Sequence, residues 1–111
     1  MDYRIKEILE KIDADISRPL TTPILAAFIN VSVSHFQHLF KKEVRVCAVK
    51  YINNLRLEKA RRLLENTHLR IKEIRFKVGA PNEAHFLQDF KRKFGVTPKN
   101  YRKNFHNSRN G

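Results

Sequence analysis

The densest hydrogen-bonding chemistry in the chain lies in SHFQHLFKKEV, Ser34–Val44, and it returns in altered form as AHFLQDFKRKF, Ala84–Phe94. Offset by fifty residues, His35 matches His85, Phe36 matches Phe86, Phe40 matches Phe90, Lys41 matches Lys91 and Lys42 matches Arg92. At helical spacing Phe36, Leu39 and Phe40 share one side, while Ser34, Gln37, His38 and Lys41 project from the other. The aromatic set reads as core, because aromatics at this spacing fill interiors. The polar set offers a hydroxyl, an amide and an imidazole ahead of ammonium groups, which suits binding a hydrogen-bonding anionic surface rather than breaking a bond. Nowhere does a nucleophile stand with a base and its orienting group, and no phosphate-cradling glycine loop occurs, so an enzyme is not expected. His35 and His38 have the i, i+3 spacing of two metal ligands, but no nearby Cys or paired carboxylate completes a site. No metal and no cofactor are predicted.

The charge of the whole chain points the same way. Lys and Arg number 23 against 11 Asp and Glu, a formal net charge of +12 over 111 residues. Such a field favours polyanions, nucleic acid or an anionic membrane, over acidic small molecules. No apolar run approaches the ~20 residues of a membrane span, and the opening MDYRIKEILEK alternates charge with hydrophobe where a signal peptide would be continuously apolar. The expectation is a cytoplasmic protein with no membrane partner. The lone Cys47 permits no internal disulfide and reads as a small, semi-buried residue.

Elements recurring at three and four residues must carry these side chains, and they make the whole chain helical. A first helix is predicted from Tyr3 to Ser17 behind Asp2 as cap, with Ile5, Ile8, Leu9, Ile12 and Ile16 in one stripe. Thr22 then caps a short helix, Pro23–Ile29, that stops at Asn30, a residue tolerant of the left-handed turn. Ser32 caps Val33–Val44, giving a short helix, a tight turn and a second helix, which is helix-turn-helix geometry. A long helix over Ala48–Glu65 should bury Val49, Ile52, Ala60, Leu63 and Leu64. The unit then repeats as Arg70–Val78, stopped by Gly79, and Asn82–Phe94, stopped by Gly95. Thr97 and Pro98 cap a last helix to Phe105, followed by a frayed tail.

With FKKE after the first repeat, YINNLRLEKARRLL in the long helix, IKEIRFKVG opening the second unit and HFLQDFKRKFGVTPKNYR closing it, Leu20–Arg102 resembles the DNA-binding domain of the AraC/XylS family of bacterial transcription regulators. The resemblance implies an all-α fold of seven helices. These form two helix-turn-helix subdomains joined by a long linker helix: residues 1–45, 46–66 and 67–106, with 107–111 as tail. It also implies binding of double-stranded promoter DNA, activation through RNA polymerase, and a sensing domain that is absent from this chain. As the domain alone a monomer is expected.

Carried over position by position, the family's base-contacting face falls on Ser34, His35, Gln37 and His38 in the first unit, and on Glu83, His85 and Gln88 in the second. Gln37 suits the adenine N6/N7 pair and His38 can donate to guanine N7. Lys41, Lys42, Lys91, Arg92, Lys99 and Arg102 are the expected phosphate contacts, which set register without reading sequence. A linker helix of roughly 27 Å would let the two similar helices enter successive major-groove segments ~34 Å apart.

Departures from the family pattern carry expectations too. The second unit ends Gly95-Val96-Thr97-Pro98, but the first ends Arg45-Val46-Cys47-Ala48, with neither a glycine for a left-handed cap nor a strong side-chain cap for the next helix; if Arg45 takes the left-handed conformation it costs about 1–2 kcal/mol. Arg75 stands where IKEIA has a small alanine, and Ala80 replaces an aromatic. Both should loosen the second unit, leaving most base specificity to the first. The rival to specific DNA reading is a non-specific basic helical protein on RNA or architectural DNA, since charge alone does not separate nucleic acids. Duplex RNA is disfavoured because its deep, narrow major groove does not admit a helix.

Overall fold

Side-chain caps set most of the helix boundaries. In the computed structural model, which describes residues 1–110, α1 (Tyr3–Ala14) starts where the Asp2 carboxylate accepts the Arg4 N–H at 2.8 Å. It ends three residues before Ser17, because Asp15 turns to extended backbone and its carboxylate takes the Ser17 N–H at 3.0 Å, an Asx turn competing with the helix. Ile16 lies past the helix end and is still buried. In α2 (Thr22–Phe28) the capping hydroxyl belongs to Thr21 rather than Thr22, and Pro23 sits in the first turn, where no N–H is needed. Ser32 caps α3 (Val33–Val44) by accepting the His35 N–H at 3.1 Å.

The long helix α4 (Ala48–Asn66) runs 19 residues, roughly 28 Å at 1.5 Å per residue. It is followed by α5 (Ile71–Val78), α6 (Glu83–Phe94) and α7 (Pro98–Asn110). The Glu73 carboxylate accepts the Arg70 N–H ahead of α5, and Asn82 caps α6 by accepting the His85 N–H at 2.9 Å. Thr97 does the same for α7 through the Asn100 N–H. The α7 helix continues past Phe105 as far as Asn110 where a frayed tail was expected, with the Arg109 guanidinium 5.7 Å from the Phe105 ring centroid. Gly111 lies outside the described residues. All seven elements are helices, with no strand among the described residues.

Two cores form, and the chain divides into units at Leu55 and Arg56, inside α4 rather than at its ends. The first core gathers Ile5, Ile8 and Ile12 of α1, Leu25 and Ala26 of α2, Phe36 and Phe40 of α3, and Ala48 and Ile52 of α4. The Phe40 and Tyr51 rings meet edge to face at 5.6 Å, a favoured aromatic geometry. The second core gathers Leu57, Ala60 and Leu64 of α4, Ile74 and Val78 of α5, and Phe86 and Phe90 of α6. Tyr101 of α7 stands edge-on to Phe90 at 5.8 Å.

The linker is thus a structural member of both units. Serving two cores moves its buried stripe, and Val49, expected inside, is 65% exposed. Cys47, just ahead of α4, is exposed rather than semi-buried.

Candidate nucleic-acid interface

Within the first unit, burying Phe36 and Phe40 turns the opposite face of α3 outward. Ser34, His35, Gln37, His38, Lys41 and Lys42 are all exposed, and Gln37, His38, Lys41 and Lys42 line one shallow concavity. Lys41 and Lys42 lie in the last turn, where cations are stabilised by the helix dipole. The chain then leaves α3 through Arg45 at φ 75°, so the left-handed conformation whose cost was weighed from the sequence is the one adopted.

In the second unit α6 presents the equivalent face. Glu83, His85, Gln88, Lys91 and Arg92 are exposed while Phe86 and Phe90 are buried. Arg92 leans toward Asp89 at 3.5 Å but stays 79% exposed in its side chain. Such a surface pair contributes little and leaves the guanidinium accessible to an anion. Lys93 is drawn back instead, its Nζ lying 3.8 Å from the Glu58 carboxylate and 5.7 Å from the Phe94 ring centroid. Lys99 is exposed in the first turn of α7.

Arg102 is occupied differently from the expectation of a phosphate contact. It is half-buried, its Nε donates to the Leu64 carbonyl at 3.2 Å, and its Nη2 donates to the Thr67 carbonyl at 3.3 Å. It therefore satisfies carbonyls that the end of α4 leaves without helical partners. Next to it, the Tyr101 hydroxyl donates to the Glu65 carboxylate, which also pairs with Arg61 at 2.9 Å. Burial and that carboxylate push the Tyr101 phenol up. The bonds to Tyr101 and Glu58 hold the Arg61 guanidinium more firmly protonated than usual. This network anchors α7 on α4 and takes two of the chain's cations, Arg61 and Arg102, away from the outer surface.

The turns before the two exposed helices differ in length. In the first unit the Asn30 and Val31 N–H groups return to the Ala27 and Ala26 carbonyls, both at 3.1 Å, and Asn30 takes φ 58°. In the second, the Gly79 and Ala80 N–H groups return to the Phe76 and Arg75 carbonyls, both at 3.1 Å, and Gly79 takes φ 78°. The same Schellman-like closure is therefore followed by one residue, Val31, before the Ser32 cap, but by two, Ala80 and Pro81, before the Asn82 cap. By this closure Arg75 is the counterpart of the buried Ala26.

Arg75 does not simply wedge the unit apart, as a large side chain in an alanine site was expected to do. Its Nη1 donates to the Ala80 carbonyl at 3.0 Å and to the Pro81 carbonyl at 3.3 Å, while its Nε is buried without a partner. The longer turn is held by a charged donor, which removes one of the two reasons for expecting a looser second unit; the other, Ala80 in place of an aromatic, stands. Sequence reasoning missed this clamp. The available signal was the extra residue between Gly79 and Asn82, set beside Asn30 and Ser32.

A helix-turn-helix domain profile matches residues 25–104. The uncharacterized HTH-type transcriptional regulator YdiP of Escherichia coli is 35% identical over 106 residues, covering 96% of this chain and 35% of its own. An AraC-type DNA-binding domain-containing transcriptional regulator from Chromobacterium violaceum superposes with a TM-score of 0.77 at 31% identity, over 90% of this chain and 89% of that one. The DNA-binding domain of AdpA, solved in complex with a target DNA, shares the fold with a TM-score of 0.87 at 20% identity, over 98% and 97% of the two chains. The chain spans about a third of the length of the curated relatives it matches.

Proposed function

The chain belongs to the AraC-type helix-turn-helix family, and on that premise we propose that it regulates transcription by binding a specific double-stranded promoter sequence through α3 and α6. The observation that carries this reading is the repeated exposed face. Two capped helices turn paired phenylalanines inward, and each presents polar side chains followed by a basic end. Ser34, His35, Gln37 and His38 read bases in one major-groove segment, and Glu83, His85 and Gln88 read them in the next. Lys41, Lys42, Lys91, Arg92 and Lys99 meet phosphates and fix register.

The chemistry of each group suits its place. An amide such as Gln37 pairs two ways with adenine, and a carboxylate such as Glu83 accepts from cytosine N4. A good pair of this kind discriminates by about 1–3 kcal/mol. Arg102 is left out of the phosphate set because it is committed to the Leu64 and Thr67 carbonyls. No helix among the described residues is long and apolar enough to cross a membrane, in keeping with a protein that meets its DNA in the cytoplasm. A sensing domain supplied from elsewhere and contact with RNA polymerase complete the proposed activator.

Selection of bound sites from a random duplex pool tests the reading. The expected product is a motif in two blocks one helical turn apart. Recovery of unrelated sequences, with RNA competing as well as DNA, would instead identify a non-specific basic binder.

A further inference from the structure

The second recognition helix follows a turn whose geometry its own backbone holds only in part. After the closure at Gly79 and Ala80 the chain must pass through Pro81, which has no N–H to lend, before Asn82 caps α6. The first unit has no such stretch, since Val31 alone separates Asn30 from Ser32. In the second, a single nitrogen of Arg75 takes two consecutive carbonyls, Ala80 at 3.0 Å and Pro81 at 3.3 Å. Both peptide groups are thereby aimed at one positive charge, immediately ahead of the cap. The same guanidinium has its Nε buried and unpartnered, so the side chain is drawn inward rather than extended toward an anion. Glu83 and His85 are the next side chains on the path, in the first turn of α6, and the His85 N–H is the one that Asn82 caps.

We propose that Arg75 is a positioning residue for the second recognition helix. By holding the carbonyls of Ala80 and Pro81 it fixes the longer turn that aims α6, so the base preference of Glu83, His85 and Gln88 depends on a side chain that touches no DNA. The inference rests on the DNA-reading role of α6 proposed above. A charged donor makes a stronger and more directional bond to a carbonyl than a neutral one, and displacing a reading group by about 1 Å is enough to lose a two-point contact to a base edge.

The test compares Arg75→Ala and Arg75→Lys with the wild-type protein on a selected duplex and on a series altered one base pair at a time, at one salt concentration. Melting temperature and amide exchange of Gly79–His85 are measured on the free proteins. In Arg75→Ala, the ratio of affinities for correct and altered bases should fall by about tenfold in the α6 half-site, the scale of one lost base contact. It should stay within about twofold in the α3 half-site. Amide exchange should quicken across the turn, and Arg75→Lys, which keeps the charge and most of the length, should recover part of both.

Unchanged discrimination in the α6 half-site would overturn the positioning role even if stability fell, since a purely structural residue predicts that pattern. An equal loss in both half-sites would overturn it as well. If Arg75→Ala does not fold, Arg75→Lys decides: discrimination partly lost in the α6 half-site alone, with quickened exchange across the turn, supports the clamp, and discrimination equal to wild type in the α6 half-site refutes it. A wild-type protein that discriminates nowhere defeats the DNA reading itself. That result is told apart because it appears before any variant is compared.

Discussion

Replacing Arg45 by glycine should stabilise the first unit. Arg45 follows α3 at φ 75° and ψ 1°, where Gly95 follows α6 at φ 85°. A side chain in the left-handed region costs about 1–2 kcal/mol relative to glycine, and glycine returns roughly 0.5–1 kcal/mol through the greater freedom of the unfolded chain. The net gain is about 0.5–1 kcal/mol, which for a domain of this size raises Tm by roughly 2–6 °C. Arg45→Ala keeps the strained backbone and removes the same charge, so it should show no comparable gain; that comparison separates backbone strain from electrostatics. The reciprocal change, Gly95→Ala, should destabilise by about 1 kcal/mol. A Cβ there meets nothing within 4 Å, so the cost comes from the backbone and not from a clash. Circular-dichroism melts of the three variants read all of this. A glycine variant no more stable than the alanine variant at position 45, together with a neutral Gly95→Ala, would refute the reasoning.

Arg102→Ala should act on stability first, lowering it by about 1.5–3 kcal/mol because charged donors leave two carbonyls at the end of α4; urea denaturation reads the loss, and a loss of DNA affinity with unchanged stability would restore Arg102 to the phosphate set. Lys41→Ala should weaken every duplex alike and reduce the salt slope of binding by about 0.9, whereas Gln37→Ala should flatten preference at particular base pairs by about 1–3 kcal/mol and leave the slope alone; titrations on matched and altered duplexes at several salt concentrations distinguish them. With Lys41, Lys42, Lys91, Arg92 and Lys99 each neutralising one phosphate, log K against log salt should fall with a slope of about −4.5. A slope near −1 would remove most of these residues from the interface.

Local rules made the two faces of α3 and α6 legible. Phenylalanines four apart demanded a buried stripe, and Ser32 and Thr97 could each be seen as caps before any fold was known, whereas Asn82, read as the first residue of its helix, is the cap of α6. Arg45 could be placed in the left-handed region because the repeat puts Gly95 opposite it. The features that escaped were those decided by distant partners. Arg102 reaches carbonyls 35 and 38 residues away in sequence, and no local pattern reveals where a long flexible side chain will find an acceptor. Val49 faces outward because α4 packs first on one core and then on another, so a single stripe drawn along the helix cannot follow both. The α7 helix outlasts its apolar residues, and the Arg109 guanidinium lies 5.7 Å from the Phe105 ring centroid, a contact with no signature in periodicity. Arg75 was legible as an oddity, but the sign of its effect was not. A large residue in an alanine site reads as a wedge until the carbonyls of the longer turn are seen to receive it.

On the proposed function, one chain reads two blocks of a single duplex with two like helices. Chemical interference mapping of major-groove guanines and adenines on a selected site tests it most directly, run with the wild-type protein and with Gln37→Ala and Gln88→Ala. Two interfering blocks about ten base pairs apart, the first weakened by the change in α3 and the second by the change in α6, are predicted. One block only, or two blocks that fade together whichever helix is altered, would contradict the account.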